Sequence, residues 1–227
     1  MAFLYTFAAM QTKLQLPDIH AYKGLRGPAK IVSYLFHPIF MPAMMAIAVS
    51  YLHNSAFAAL DNPHRLQLFG NIALNTIFFP LIATLLLKAL GFIESIQMHK
   101  SKDRIIPLIA TMIFYFWCYL VVKNLQSPLT IKVLILGAFW GVITVFIANI
   151  FIKVSMHTAA AGGVLGIVLV VMMVSHISLF LPLLVALLIG GLVGTARLVL
   201  QAHKPAEVWL GYLIGVLVQL AAYWYLK

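Results

Sequence analysis

PLLVALLIGGLVGTARLVLQAHKPAE, residues 182–207, holds in one stretch the two features that organise this chain. No charged residue occurs from Pro182 to Ala196. At a helical rise of about 1.5 Å per residue, such a run covers most of the roughly 30 Å hydrocarbon core of a bilayer. The run then ends among ionisable side chains: Arg197, His203, Lys204 and Glu207. A second apolar run follows at once, over 206–226. The pair reads as a hairpin of two membrane spans with its polar turn at the surface.

Working outward, apolar runs bounded by charge or by Pro and Gly recur at about 31–53, 68–92, 105–122, 131–152 and 159–180. With 182–198 and 206–226 they predict seven spans, with six as the alternative count. Composition agrees, since 63% of the 227 residues are hydrophobic and 9% are charged, whereas a soluble domain carries about a quarter charged residues. The expected fold class is all-α: a polytopic transmembrane helical bundle forming a single domain over residues 31–227. Residues 1–30 are expected to form an N-terminal interfacial segment. The apolar stretch Met1–Met10 is too short to span and lacks the basic start and small-residue cleavage site of a removable signal.

Small residues four apart, Gly137 and Gly141, Gly162 and Gly166, Gly190 and Gly194, Gly211 and Gly215, predict close helix packing in lipid. Asn71, Asn75 and Asn149 read as interhelical hydrogen-bonding groups within the spans. Cys118 stands alone in an apolar run, so no internal disulfide and no zinc-type spacing exists. His37, His53, His64 and His176 share no ligand spacing, and no metal cluster is expected. The formal net charge is +10. With no polar domain to display them, the cations point to lipid headgroups or another anion, and nucleic acid is not an expected partner.

Seven crossings put the N-terminus and the connections near 93–104, 153–158 and 199–205 on one side. That side holds eleven of the fifteen cations. Six of the eleven fall in connections that form the candidate site, and without them the count is five against four, so the positive-inside rule does not choose the face. An integral position in the inner, plasma membrane is the expected location.

Those three connections concentrate chemistry: Lys100, Lys102 and Arg104; Lys153, Ser155 and His157; Arg197, His203 and Glu207. Charge near lipid is costly and usually faces a partner or a watery cavity, so the three are expected to converge. Several cations, two histidines and a carboxylate beside helix starts suit a phosphate ester. Arginine forks and lysine point charges neutralise phosphate oxygens, and the free N–H groups of a helix start favour an anion. Glu207 follows His203 by four residues, a spacing that lets a carboxylate fix an imidazole tautomer. Pro205 suits the first helical position between them. A neutral His203 can then attack phosphorus, and His157 from another loop can protonate the leaving oxygen.

In these residues the chain resembles the type 2 phosphatidic acid phosphatases, which share a site with the vanadium haloperoxidases. That family carries Lys-x6-Arg-Pro, then Pro-Ser-Gly-His, then Ser-Arg-x5-His-x3-Asp. Here Ala196-Arg197 is followed after five residues by His203 and after three more by Glu207. Val154-Ser155-Met156-His157 keeps the Ser and His of the second motif. The first is degraded: Arg104 precedes Ile105-Ile106-Pro107, and Gln97 stands where the family has Lys. The resemblance covers about residues 95–215 and rests on the order and spacing of the motifs.

It implies a lipid phosphate phosphatase that needs no metal or other cofactor and acts on a membrane lipid phosphate or polyprenyl diphosphate. His203 would form a phosphohistidine oriented by Glu207, with His157 as general acid. Arg104, Arg197, Ser155, Lys153 and Lys100 or Lys102 would hold phosphate. Glu207, Ala196 and Met156 replace the family's Asp, Ser and Gly. These departures support the alternative reading, a protein that binds or transports lipid phosphates without turnover. A proton-coupled carrier is disfavoured because the ionisable groups fall at span ends.

Overall fold

The computed structural model describes residues 24–93, 104–125 and 127–227, and the described residues are helices and short connections without a strand. In chain order the helices are α1 (Arg26–Leu35), α2 (Met41–Leu52), α3 (Asn62–Ala89), α4 (Ile105–Asn124), α5 (Leu129–Phe151), α6 (Met156–Ser175), α7 (Phe180–Val199) and α8 (Pro205–Leu226). By length and hydropathy six of them, α3 to α8, can each cross a membrane, which makes the protein an integral membrane protein.

The expected first span at 31–53 is not one helix. It is divided into α1 and α2 by the turn from Phe36 to Phe40. The cause is Pro38, which donates no N–H and disfavours a helical His37 before it. Pro42 then suits the opening turn of α2. At 12 residues, α2 is about 18 Å long and shorter than the hydrocarbon core. The helix α1 also straddles the expected boundary between residues 30 and 31. It buries Ala29 and Ser33, one turn apart, and packs on α7.

Two further helix limits differ from expectation. The fifth apolar run continues to residue 180, yet α6 stops at Ser175 because His176 takes a left-handed conformation, φ 54°. Within α3, a π-helical segment at Leu74–Phe78 precedes Pro80 and absorbs the hydrogen bond that proline cannot make.

The pair α6 and α8 forms the centre of the bundle. Its glycines permit the approach: a methyl group at Gly215 would run into the Ala159 carbonyl, and one at Gly162 into the Tyr212 backbone. Among the described residues, Asn71 and Asn75 do not bridge helices. Their amides donate to Gln67 O and Asn71 O of their own helix. Neither amide atom of Asn149 has a hydrogen-bond partner among the described residues.

The largest buried apolar cluster joins Val122 near the end of α4, Ile131 and Ile135 near the start of α5, Val170 of α6 and Ala222 of α8. All lie toward the ends of their helices away from the 153–158 and 199–205 connections. The largest apolar cluster therefore holds one end of the bundle, and the 153–158 and 199–205 connections lie at the other.

Candidate functional site

The connection from α7 to α8 is built by backbone hydrogen bonds of a recognisable kind. Ala202 N–H donates to Arg197 O and Gln201 N–H to Leu198 O, with Gln201 left-handed at φ 54°. This is the Schellman termination, here with Gln where Gly is usual. It turns the chain so that Lys204, in extended conformation, starts α8 with Pro205 in its first turn. Between the stop and the start lies His203, only 6% exposed.

One carboxylate organises this start. Glu207 Oε2 accepts from Lys204 N–H at 3.2 Å and pairs with His203 Nδ1 at 2.8 Å. A helix-capping contact thus also fixes the imidazole, with its proton on Nδ1. Burial pushes His203 below the ordinary 6.5; Glu207 opposes this, and the positive charges of Arg197 and Arg104 add to it. The ring is held neutral near pH 7, the form in which it is a nucleophile.

The second connection is tied to the first. Ser155 N–H donates to Glu207 O at 3.3 Å, and Lys153 Nζ donates to Ala202 O at 3.2 Å. Ser155 caps α6: its hydroxyl oxygen accepts from Thr158 N–H at 3.4 Å, and the residue is fully buried. The starts of α6 and α8 therefore meet, each adding partial positive charge.

Arg104, at the start of α4, is buried at 6% exposure. Burial lowers its pKa and the charge of Glu207 opposes that, so the two groups lie within electrostatic reach. Arg197 donates from Nη1 to Ser33 Oγ at 3.2 Å, and its buried Nε has no hydrogen-bond partner among the described residues. Among the described residues, Glu207 is the acid of this end of the bundle, since Asp61 lies at the start of α3. Cations predominate there.

The structure thus brings together Arg104, Lys153, Ser155, His157, Arg197, His203 and Glu207. Lys100 and Lys102 lie outside the described residues, as do Gln97 and His99. No group of three or more His, Cys, Asp or Glu among the described residues is arranged to hold a metal ion.

Two residues join the site that sequence reasoning did not place there. His157 Nε2 donates to the backbone carbonyl of Ser33 at 3.1 Å, so Ser33 touches both His157 and Arg197. The His37 ring stands edge-on to that of His157, centroids 5.2 Å apart. Burial first, then the charge of Arg197, pushes His37 below the ordinary 6.5. The available signal was Pro38, which breaks the first apolar run beside His37 and folds α1 over the site. No family model matches the chain, and no curated protein or solved structure does.

Proposed function

We propose that this protein is a membrane phosphatase that hydrolyses a lipid phosphate or diphosphate through a phosphohistidine, as a divergent type 2 phosphatidic acid phosphatase. The observation that carries the reading is the buried His203–Glu207 pair, 2.8 Å apart, within electrostatic reach of Arg104 and Arg197. A neutral, tautomer-fixed imidazole beside two guanidinium groups suits attack on a bound phosphate.

In this reading Arg104, Arg197 and the starts of α6 and α8 hold phosphate oxygens, while Lys153 and Ser155 brace the connections that carry them. With Nδ1–H directed to Glu207, His203 attacks phosphorus through Nε2. The N–P bond forms as the P–O bond breaks, and the leaving oxygen takes a proton from His157, which picks that proton up as the phosphate anion binds and offsets the charge of Arg197. Water then attacks the phosphohistidine and gives its proton to the now neutral His157. Inorganic phosphate departs and both histidines are restored. Lys100 and Lys102 belong to the proposed phosphate-binding set on sequence grounds. The proposed setting is the plasma membrane, where the substrate headgroup arrives from the bilayer.

One observation favours a second reading. The Ser155 hydroxyl oxygen and His157 Nε2 are both engaged by the protein itself, through Thr158 and Ser33, as suits a pocket that binds lipid phosphate without turnover. Phosphate release from phosphatidate, phosphatidylglycerol phosphate and polyprenyl diphosphate, with His203→Ala protein in parallel, separates the two. Release by the wild type alone supports the phosphatase; binding without release supports the second reading.

A further inference from the structure

Six hydroxyls in the helices of this protein are satisfied in one way, and that of Ser33 is not. Ser50, Thr76, Thr84, Thr111, Thr144 and Ser175 each donate to a carbonyl three or four residues back in their own helix, the usual bond of a helical hydroxyl. Ser33 lies within α1 and is 7% exposed. Its oxygen accepts from Arg197 Nη1 at 3.2 Å. A serine hydroxyl also has one proton to give, and among the described residues that proton meets no acceptor.

The neighbours of Ser33 are mostly donors. The buried Nε of Arg197 has no partner among the described residues, and His157 Nε2 is directed to the Ser33 carbonyl. Arg104 and Arg197 both act on His203 through their charge. Glu207, the acid of this end, is already engaged by His203 and by Lys204 N–H. Burying donors without partners is costly, so the arrangement calls for an acceptor from outside. A water takes the proton but answers neither arginine charge, whereas an oxyanion does both. The sequence of α1 fixes this presentation. Small Ala29 and Ser33 form the side packed on α7, while Ile31, Tyr34 and Leu35 are exposed.

We infer that Ser33 binds the substrate phosphate directly, its hydroxyl donating to an oxygen of the phosphate that Arg197 holds, so that α1 is a part of the binding site and not a cover over it. This rests on the proposed phosphate site at His203, but not on turnover there. Because the Ser33 carbonyl also holds His157, one residue of α1 positions both the phosphate and the histidine proposed to protonate the leaving oxygen.

Binding of vanadate and of inorganic phosphate to full-length protein in nanodiscs tests the inference without requiring hydrolysis. Ser33→Ala should weaken both about tenfold or more, the range for a hydrogen bond to a charged acceptor. Ser33→Cys, close in size with a poorer donor, should weaken both as well and serves if the alanine variant does not fold. Ser50→Ala removes a hydroxyl bonded within its own helix and should change neither. An Arg197→Ala background separates contact from support. A hydroxyl that touches phosphate still matters there, so adding Ser33→Ala should weaken binding further; one that only steadies the guanidinium has nothing left to do. Absence of that further loss would overturn the inference. So would unchanged or tighter binding by the Ser33 variants, tighter binding marking Ser33 as an internal occupant of the site. If the wild type binds neither anion, the phosphate site falls and the inference with it. If it binds both through Ser33 yet hydrolyses no lipid phosphate, the role of Ser33 stands and the phosphatase reading falls.

Discussion

Each end of the bundle carries a histidine paired with a carboxylate near a helix start. At the start of α3, His64 Nδ1 lies 2.6 Å from Asp61, with side chains 65% and 62% exposed. At the start of α8, His203 Nδ1 lies 2.8 Å from Glu207, with side chains 3% and 12% exposed. The chemistry is shared and the surroundings are not. The arginines differ in the same way. Arg65 donates to Leu60 O and Phe57 O, five and eight residues back in the chain. Arg197 reaches Ser33, 164 residues away, and His157 reaches the same residue across 124.

The difference separates two uses of polar residues in a membrane protein. At the α3 start they end one helix and begin another, and water supplies whatever partners remain. At the α8 start they tie α1, α6, α7 and α8 together and keep arginine charge out of water, which is costly unless a ligand or partner answers it. The buried end also lies away from the main apolar cluster.

Substitutions at matched positions sharpen the contrast, and the largest effect is expected at the histidines. His203→Ala should lower phosphate release by at least about a hundredfold, as loss of a nucleophile does, whereas His64→Ala should leave it unchanged. Equal losses would mean that the two pairs do the same structural work. Next in size is Glu207→Gln, which keeps shape but frees the imidazole to adopt the wrong tautomer. A fall of about ten- to a hundredfold in turnover is expected, with vanadate affinity retained, since the carboxylate orients the ring and does not hold phosphate. Arg197→Ala should weaken vanadate binding about tenfold or more, the range for a lost charge-assisted hydrogen bond. Arg65→Ala should not.

A smaller effect is expected from pH. Because the His203 pKa is lowered from 6.5 by burial, its protonation would remove the proposed nucleophile only below that value. The acid limb of kcat/KM should therefore lie below pH 6.5, and a limb at or above it would contradict the neutral, buried ring. The smallest effect belongs to Asp61. Its hydrogen bonds to His64 hold its pKa below 3.8, so its capping contribution is complete above that value and is lost as pH falls through the lowered one. Asp61→Ala should lower the melting temperature slightly at neutral pH and leave turnover intact.

Much of the architecture was legible because hydropathy registers what lipid requires. Helices α4 to α8 begin and end within a few residues of the apolar runs, apart from the early stop at His176. The common end of the three polar connections follows from the alternation of α3 to α8, whichever way α2 is counted. The break at Pro38 escaped because an apolar run records side chains, whereas a proline acts through the backbone. Ser33 and His37 escaped for a different reason: their partners lie more than a hundred residues away, and no local spacing encodes such contacts. The local pair His203 and Glu207 was readable because a helical first turn dictates its geometry. Asn71 and Asn75 show the converse, since an amide inside an apolar helix satisfied its bonding within its own turn.

The central claim is that burial converts an ordinary histidine–carboxylate pair into a nucleophile, and trapping the covalent intermediate tests it most directly. Wild-type protein quenched during turnover of a phosphorus-labelled lipid phosphate should carry an acid-labile, base-stable label on His203. The label should persist in His64→Ala protein and vanish in His203→Ala. Protein that binds the labelled lipid yet never acquires the label, and releases no phosphate, would contradict the account.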